Sequence, residues 1–181
     1  MPMSTRSKTL FFTLLFCLML LSPAFAEAQY PNALGIQVGR VAGFGISYQR
    51  WEEGFGYQLA TGLNYHSWVA EGDDRFAYNL GFEIQRPLVS HDISSWLSGT
   101  LYLFAGIHHR GYEEALGSES TGYTVGPYTA EFGAGAGVGV EAILFDHFAF
   151  GTEFVIFGMY TPREERFAVN MLPQLSLRYR F

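Results

Sequence analysis

From residue 33 to the C-terminus, large apolar side chains recur at every second position. The positions between them carry glycine, serine, glutamine, asparagine and glutamate. Leu34, Ile36 and Val38 alternate with Gly35, Gln37 and Gly39; Phe44, Ile46 and Tyr48 alternate with Gly45, Ser47 and Gln49. Tyr57, Leu59, Thr61, Leu63 and Tyr65 face away from Gln58, Ala60, Gly62, Asn64 and His66, and Phe76, Tyr78, Leu80, Phe82 and Ile84 face away from Ala77, Asn79, Gly81, Glu83 and Gln85. A period of two puts alternate residues on opposite faces of a strand and rules out a helical reading. The chain is therefore expected to be built of strands.

The first 26 residues do not share this rhythm. Arg6 and Lys8 precede the apolar run "TLFFTLLFCLMLL", Ser22 and Pro23 break it, and "AFA" at residues 24–26 offers small residues for cleavage. That order is that of a secretory signal peptide, and the apolar run falls short of the ~20 residues of a spanning helix. Residues 1–26 read as the signal peptide and 27–181 as one domain, with cleavage after Ala28 as the alternative. Cys17 sits in the leader, so the exported chain would have no cysteine and needs a packed core or a closed sheet in place of disulfides. Beyond the leader, nine basic residues, all arginine, stand against 17 acidic ones. Such a balance speaks against nucleic acid as a partner.

The second half continues the pattern. In "LSGTLYLFAGIHH", Leu97, Leu101, Leu103 and Ile107 are expected outward and Ser98, Thr100, Tyr102, Phe104 and His108 inward. In "YTAEFGAGAGVGVEA", Tyr128, Phe132, Val138 and Val140 oppose Glu131, Gly133, Gly135, Gly137, Gly139 and Glu141. Phe148, Phe150, Phe154 and Ile156 oppose Gly151 and Glu153. On the last strand Phe167, Val169, Met171, Leu175, Leu177, Tyr179 and Phe181 oppose Asn170, Gln174, Ser176, Arg178 and Arg180. Eight strands result, each about the ~9–11 residues that cross a bilayer or longer. With a periplasmic N-terminus, "VAG", "SWVAEGDDR", "HRGYEEALGSESTGYTVG" and "YTPREER" would be outer loops, and "WEEGF", "RPLVSHDISSW" and "LFDH" periplasmic turns.

The polarity of the two faces fixes which one meets lipid. A soluble barrel keeps its apolar face inside, but a core lined by four or more glycines would be left unpacked. The aromatic content of 17% also gathers near strand ends, with Trp51, Trp96, Phe148, Tyr179 and Phe181 at one edge and Tyr65, Trp68, Phe76, Tyr128 and Tyr160 at the other. Two aromatic belts are what the two membrane interfaces select. Arg50 and Arg86 fall on the outward phase at strand ends, where their stems can snorkel. The fold expected is an all-β, eight-stranded antiparallel up-and-down transmembrane β-barrel.

With the leader, the strands "FGISYQRW" and "YQLATGLNYHS" and the terminal "LSLRYRF", residues 33–181 resemble the small eight-stranded outer-membrane barrels of Gram-negative bacteria, of the OmpA/OmpX type. The resemblance implies outer-membrane lipid and lipopolysaccharide as surroundings. It also implies a final strand, ending in Tyr179 and Phe181, that is read by the barrel-assembly machinery.

An eight-stranded barrel is only wide enough for side chains to fill it. The expected lumen holds Glu83, Glu131, Glu141 and Glu153 with Arg178 and Arg180 as a charge network, Arg178 meeting one or more of Glu83, Glu141 and Glu153. Tyr102 and Phe104 are expected to lie over the glycines of the neighbouring strand, roughly level with Gly133 and Gly135. Left unfilled, the ladder Gly133, Gly135, Gly137 and Gly139 would instead line a narrow cavity.

Signals for chemistry are weak. His108 and His109 precede Glu113, Glu114, Ser118 and Ser120, a Ser–His–acid set by composition only. His66 followed by Ser67 departs from the His-x-Ser spacing of the outer-membrane lipid A deacylases. Glu71, Asp73 and Asp74 lack the spacing of a calcium loop. No cofactor or metal centre is expected. The leading reading is a non-enzymatic envelope protein acting through its outer loops, chiefly residues 110–126, on a surface ligand that the sequence does not specify. A narrow solute channel is the alternative, and a lipid A-modifying enzyme stands third.

Overall fold

The computed structural model of the chain describes residues 30–65, 74–118 and 122–181, and residues 1–26, expected to be a leader, lie outside them. Nine strands run in chain order: β1 (Asn32–Val38), β2 (Phe44–Glu52), β3 (Phe55–Tyr65), β4 (Asp74–Ser94), β5 (Leu97–Ser118), β6 (Gly122–Val125), β7 (Thr129–Leu144), β8 (Phe148–Thr161) and β9 (Arg166–Arg180). Eight of them, all but β6, pair antiparallel with their neighbours, and β1 closes the ring on β9 from Ala33↔Arg180 to Val38↔Leu175. Asn32 and Phe181 fasten that seam with backbone hydrogen bonds of 3.2 and 2.8 Å. This is the eight-stranded up-and-down barrel that the alternation requires. A closed ring leaves no free sheet edge along its paired length.

The barrel is inside-out in polarity. Leu34, Ile36, Ile46, Leu63, Phe132, Ile156, Val169 and Leu175 are exposed, whereas Gln37, Gln49, Gln58, Glu83, Gln85, Gln174 and Arg178 are wholly buried. Such an exterior suits hydrocarbon, and water would not tolerate it.

Several expectations are corrected by the observed register. The connection expected at residues 86–96 is mostly strand: β4 and β5 pair down to Ser94↔Leu97, leaving only Ser95 and Trp96 in the turn. Pro87 offers no N–H to the ladder. The structure absorbs it at a register shift between Pro87 and Val89, just below Gln85, the last β4 residue that pairs with β3. The expected loop 110–126 is likewise a hairpin, in which β5 continues to Ser118 and β6 folds back on it from Ala115↔Val125 to Ser118↔Gly122.

Trp51 belongs to the inward phase of β2. Its ring meets Tyr102 edge-on at 6.0 Å, which removes it from the outer belt. Arg86 is buried at 5% exposure, because the β2–β3 turn folds over it: Nη1 donates to the Gly54 carbonyl at 2.8 Å and the guanidinium lies 4.5 Å from the Phe55 ring centre. Trp68 lies outside the described residues.

The β1–β2 connection is not an exposed loop. Gly43 and Gly45, at φ of 97° and 128°, let the chain bend where a side chain would be strained. Val41 and Ala42 turn into the barrel and are 0% and 1% exposed. Val41 joins Tyr102, Phe104, Val155, Phe157 and Met159 in an apolar cluster inside the lumen. A segment read as a tight outer turn is therefore a plug.

Candidate functional site: the filled lumen

Three layers of side chains occupy the lumen. At the lower end, where β1 begins and β9 ends, Arg178 of β9 reaches across. Its Nη1 is 3.3 Å from Glu141 Oε1, its Nε donates to Ser47 Oγ at 3.3 Å, and its Nη2 donates to the side-chain carbonyls of Gln37 and Gln58. Both ionic side chains are essentially fully buried. A buried charge needs a partner and hydrogen bonds for its remaining protons, and Arg178 has both.

In the middle layer, glutamine amides hold Glu153 and Glu83. Glu153 accepts from Tyr102 Oη at 2.7 Å and from Gln174 Nε2 at 2.8 Å, with Gln37 and Gln85 each at 3.4 Å. Glu83 accepts from Gln174 Nε2 at 3.1 Å and Gln85 Nε2 at 3.5 Å. These two carboxylates meet Arg178 through Gln37 and through the Gln58–Gln85 pair, while Glu141 meets it directly. The same Gln174 that bridges the carboxylates accepts from Val41 N at 2.8 Å and Ala42 N at 3.2 Å through its Oε1. It is the pivot that ties the polar network to the plug. The sequence placed Gln174 inward without marking it, since a glutamine in a polar stripe carries no signal of its own.

Above the plug, Glu131 pairs with Arg110 at 3.6 Å, and Arg110 in turn lies 4.4 Å from the Tyr112 ring centre. Glu131 is thus separate from the Arg178 cluster. Arg180 lies at the lower mouth, within Coulombic reach of Glu141 and Asp146, and its carbonyl is 2.9 Å from His147 Nδ1.

Aromatic rings and the plug fill the glycine ladder. The register pairs Tyr102 with Gly139 and Phe104 with Gly137, four residues further down β7 than the expected levels of Gly133 and Gly135. The pairing is set from the lower end at Leu97↔Leu144, which the length of the outer connection could not reveal. A Cβ at Gly137 would stand 2.9 Å from Phe104 Cζ, and one at Gly139 would run into the Tyr102 ring. At Gly135 it would meet Val41 Cγ2 and Ile156 O at 2.8 Å and Phe157 Cβ at 2.7 Å; Gly133 has ordinary room.

The residues considered for chemistry do not converge. His108 points inward and is buried, whereas His109 stacks outside on Phe132 at 4.7 Å, with Nε2 3.0 Å from Tyr78 Oη. Ser120, Glu71 and Asp73 lie outside the described residues; of Glu114, Ser118 and Asp74 only the backbone is described. Among the described residues no group of three acidic, histidine or cysteine side chains could hold a metal ion.

No family model matches the chain, and no curated protein matches it. A search of solved structures finds the crystal structure of the N-terminal β-barrel domain of Pseudomonas aeruginosa OprF, with a TM-score of 0.51 at 14% identity. The match covers 86% of this chain and 100% of that domain. The chain has the fold of that barrel. At this identity the likeness concerns the path of the backbone, and the lumen side chains must be read on their own.

Proposed function

We propose that the chain is exported through residues 1–26 and resides in the outer membrane as a non-conducting, non-enzymatic barrel, with a role in envelope structure or surface interaction carried by its upper hairpins. The single observation behind this reading is the filled lumen. Arg178, Glu141, five glutamines and the Val41 plug occupy the cross-section that a solute would need, and their hydrogen bonds would have to break to open it. Lipid and lipopolysaccharide would surround the apolar exterior, and the barrel-assembly machinery would insert it by its final strand. The divergence of His108 and His109 supports the absence of catalysis.

Planar-bilayer recording on refolded protein tests the reading. The expected trace is flat apart from rare, brief events; sustained single-channel steps would favour the narrow channel that a displaced plug could create. Release of fatty acid or acyl transfer on lipid A substrates would overturn the non-enzymatic part.

A further inference from the structure

The ring is not equally tall all the way round. β1 ends at Val38 and β2 begins at Phe44, and the highest β2–β3 pair is Ile46↔Thr61. On one flank β3 continues upward through Gly62–Tyr65 without a β2 partner. On the other, the nine residues Arg166–Gln174 of β9 pair with β8 alone, above the last β1 pair Val38↔Leu175. The wall therefore has a notch above the β1–β2 hairpin, bounded by two strand edges.

Its depth is fixed by β9 itself. Tyr179 marks the lower aromatic edge, and Gln174 lies five residues above it. At ~3.3 Å per residue and a tilt near 40°, that is about 13 Å, halfway up an apolar band about 25 Å tall. The outward residues beside the notch, Met171, Val169 and Phe167, are exposed at 54–65%, and Leu63 on the opposite flank at 74%. The opening thus faces the upper half of the hydrocarbon.

Two features show that the wall ends here by construction. Asn79 of β4 supplies what a β3 partner would have given Phe44: its Oδ1 accepts from Phe44 N at 2.8 Å and its Nδ2 donates to Phe44 O at 2.9 Å. Pro173 sits where β9 loses its β1 neighbour, and proline is tolerated in strands chiefly at edges. The inner face of β9 also changes character at this level. Below, it carries Arg180, Arg178, Ser176 and Gln174. Above the plug it carries Leu172, which is 41% exposed although its partner Val155 is in the core at 0%.

We propose that this notch is a lateral binding site for a lipid of the upper leaflet, whose acyl chain lies against Leu172, above the level of the buried Val41–Ala42 plug. The occupant is an amphiphile and not a bare hydrocarbon, because residues 166–174 of β9 and 62–65 of β3 have no strand partner on the notch side, and backbone N–H groups turned to the membrane there need acceptors, which lipid ester carbonyls offer and alkane does not. The site rests on the membrane reading above, and the plug beneath it makes it a pocket and not a passage.

Site-directed nitroxide accessibility in phosphatidylcholine vesicles tests it. Leu172→Cys is labelled in a Cys17→Ser background, with Leu175→Cys as the outward reference and Arg163→Cys, on the exposed upper turn, as the aqueous one. The oxygen-to-nickel-chelate accessibility ratio at residue 172 should match that at 175 and exceed that at 163. A ratio at 172 like that at 163 means a water-filled vestibule and overturns the site, as does protection from both reagents, which means that the chain covers it. A water-like ratio at 175 would instead overturn the membrane reading. Asn170→Cys, on the same inner face and already exposed, gives the same comparison if Leu172→Cys lacks the heat-dependent gel shift of a folded barrel.

Discussion

The Arg178 guanidinium and the Glu141 carboxylate stand 3.3 Å apart with side-chain exposures of 0% and 1%. Replacing Arg178 by methionine would leave Glu141 buried without its counter-charge and would strip donors from Gln37 and Gln58. Removal of one member of a buried pair costs about 3–5 kcal/mol. The urea midpoint of the refolded barrel should fall accordingly. Adding Glu141→Gln should restore part of the loss, since two neutral groups need no pairing. An unchanged midpoint in Arg178→Met would mean that the lumen is held by packing alone.

Much of this architecture could be read from period two. The alternation separated an apolar face from a polar one, but it set Arg86 outward, which the β2–β3 turn buries, and gave Arg110, the partner of Glu131, no place in the lumen. It could not tell heights. Whether Tyr102 stands beside Gly135 or Gly139 depends on strand register, which the turns at both ends set together. The inward fold of Val41 was also hidden, because a two-residue apolar patch between glycines looks like any tight loop. Pro87 and Pro173 each lie where a long strand runs past a shorter neighbour, a relation of strand lengths that the alternation does not contain.

Glycine substitutions distinguish ring packing from free space. Gly139→Ala drives a methyl into the Tyr102 ring and threatens its hydrogen bond to Glu153, so a loss of about 1–3 kcal/mol is expected. Gly133→Ala meets its nearest atoms, Gly158 O and His108 Cβ, at 3.4 and 3.6 Å and should change stability by no more than about 0.5 kcal/mol. Urea melts of the two variants side by side check this. Equal effects would sink the assignment of rings to specific glycines.

Trp51 and Trp96 are expected to report different surroundings. Trp96 is 48% exposed beside Phe145 at the lower turn, whereas Trp51 lies against Tyr102 inside. In variants that keep one tryptophan and replace the others by phenylalanine, brominated lipid should quench Trp96 strongly and Trp51 weakly. Strong quenching of Trp51 would return it to the outer belt.

Phe181 combines two roles that substitution can separate. Its backbone N–H donates to Asn32 O and its carbonyl accepts from Asn32 N, so it fastens the seam irrespective of its side chain. The ring itself is 52% exposed and makes no part of the core. Phe181→Ala keeps both backbone bonds. If the terminal aromatic is the assembly signal, this variant should insert poorly in cells and yet refold normally from urea into detergent. Deleting Phe181 should impair both, because the Asn32 bonds go with it, at about 1 kcal/mol each. Normal insertion of Phe181→Ala in cells, measured as the heat-shifted band of the outer-membrane fraction, would confine the role of this residue to the seam.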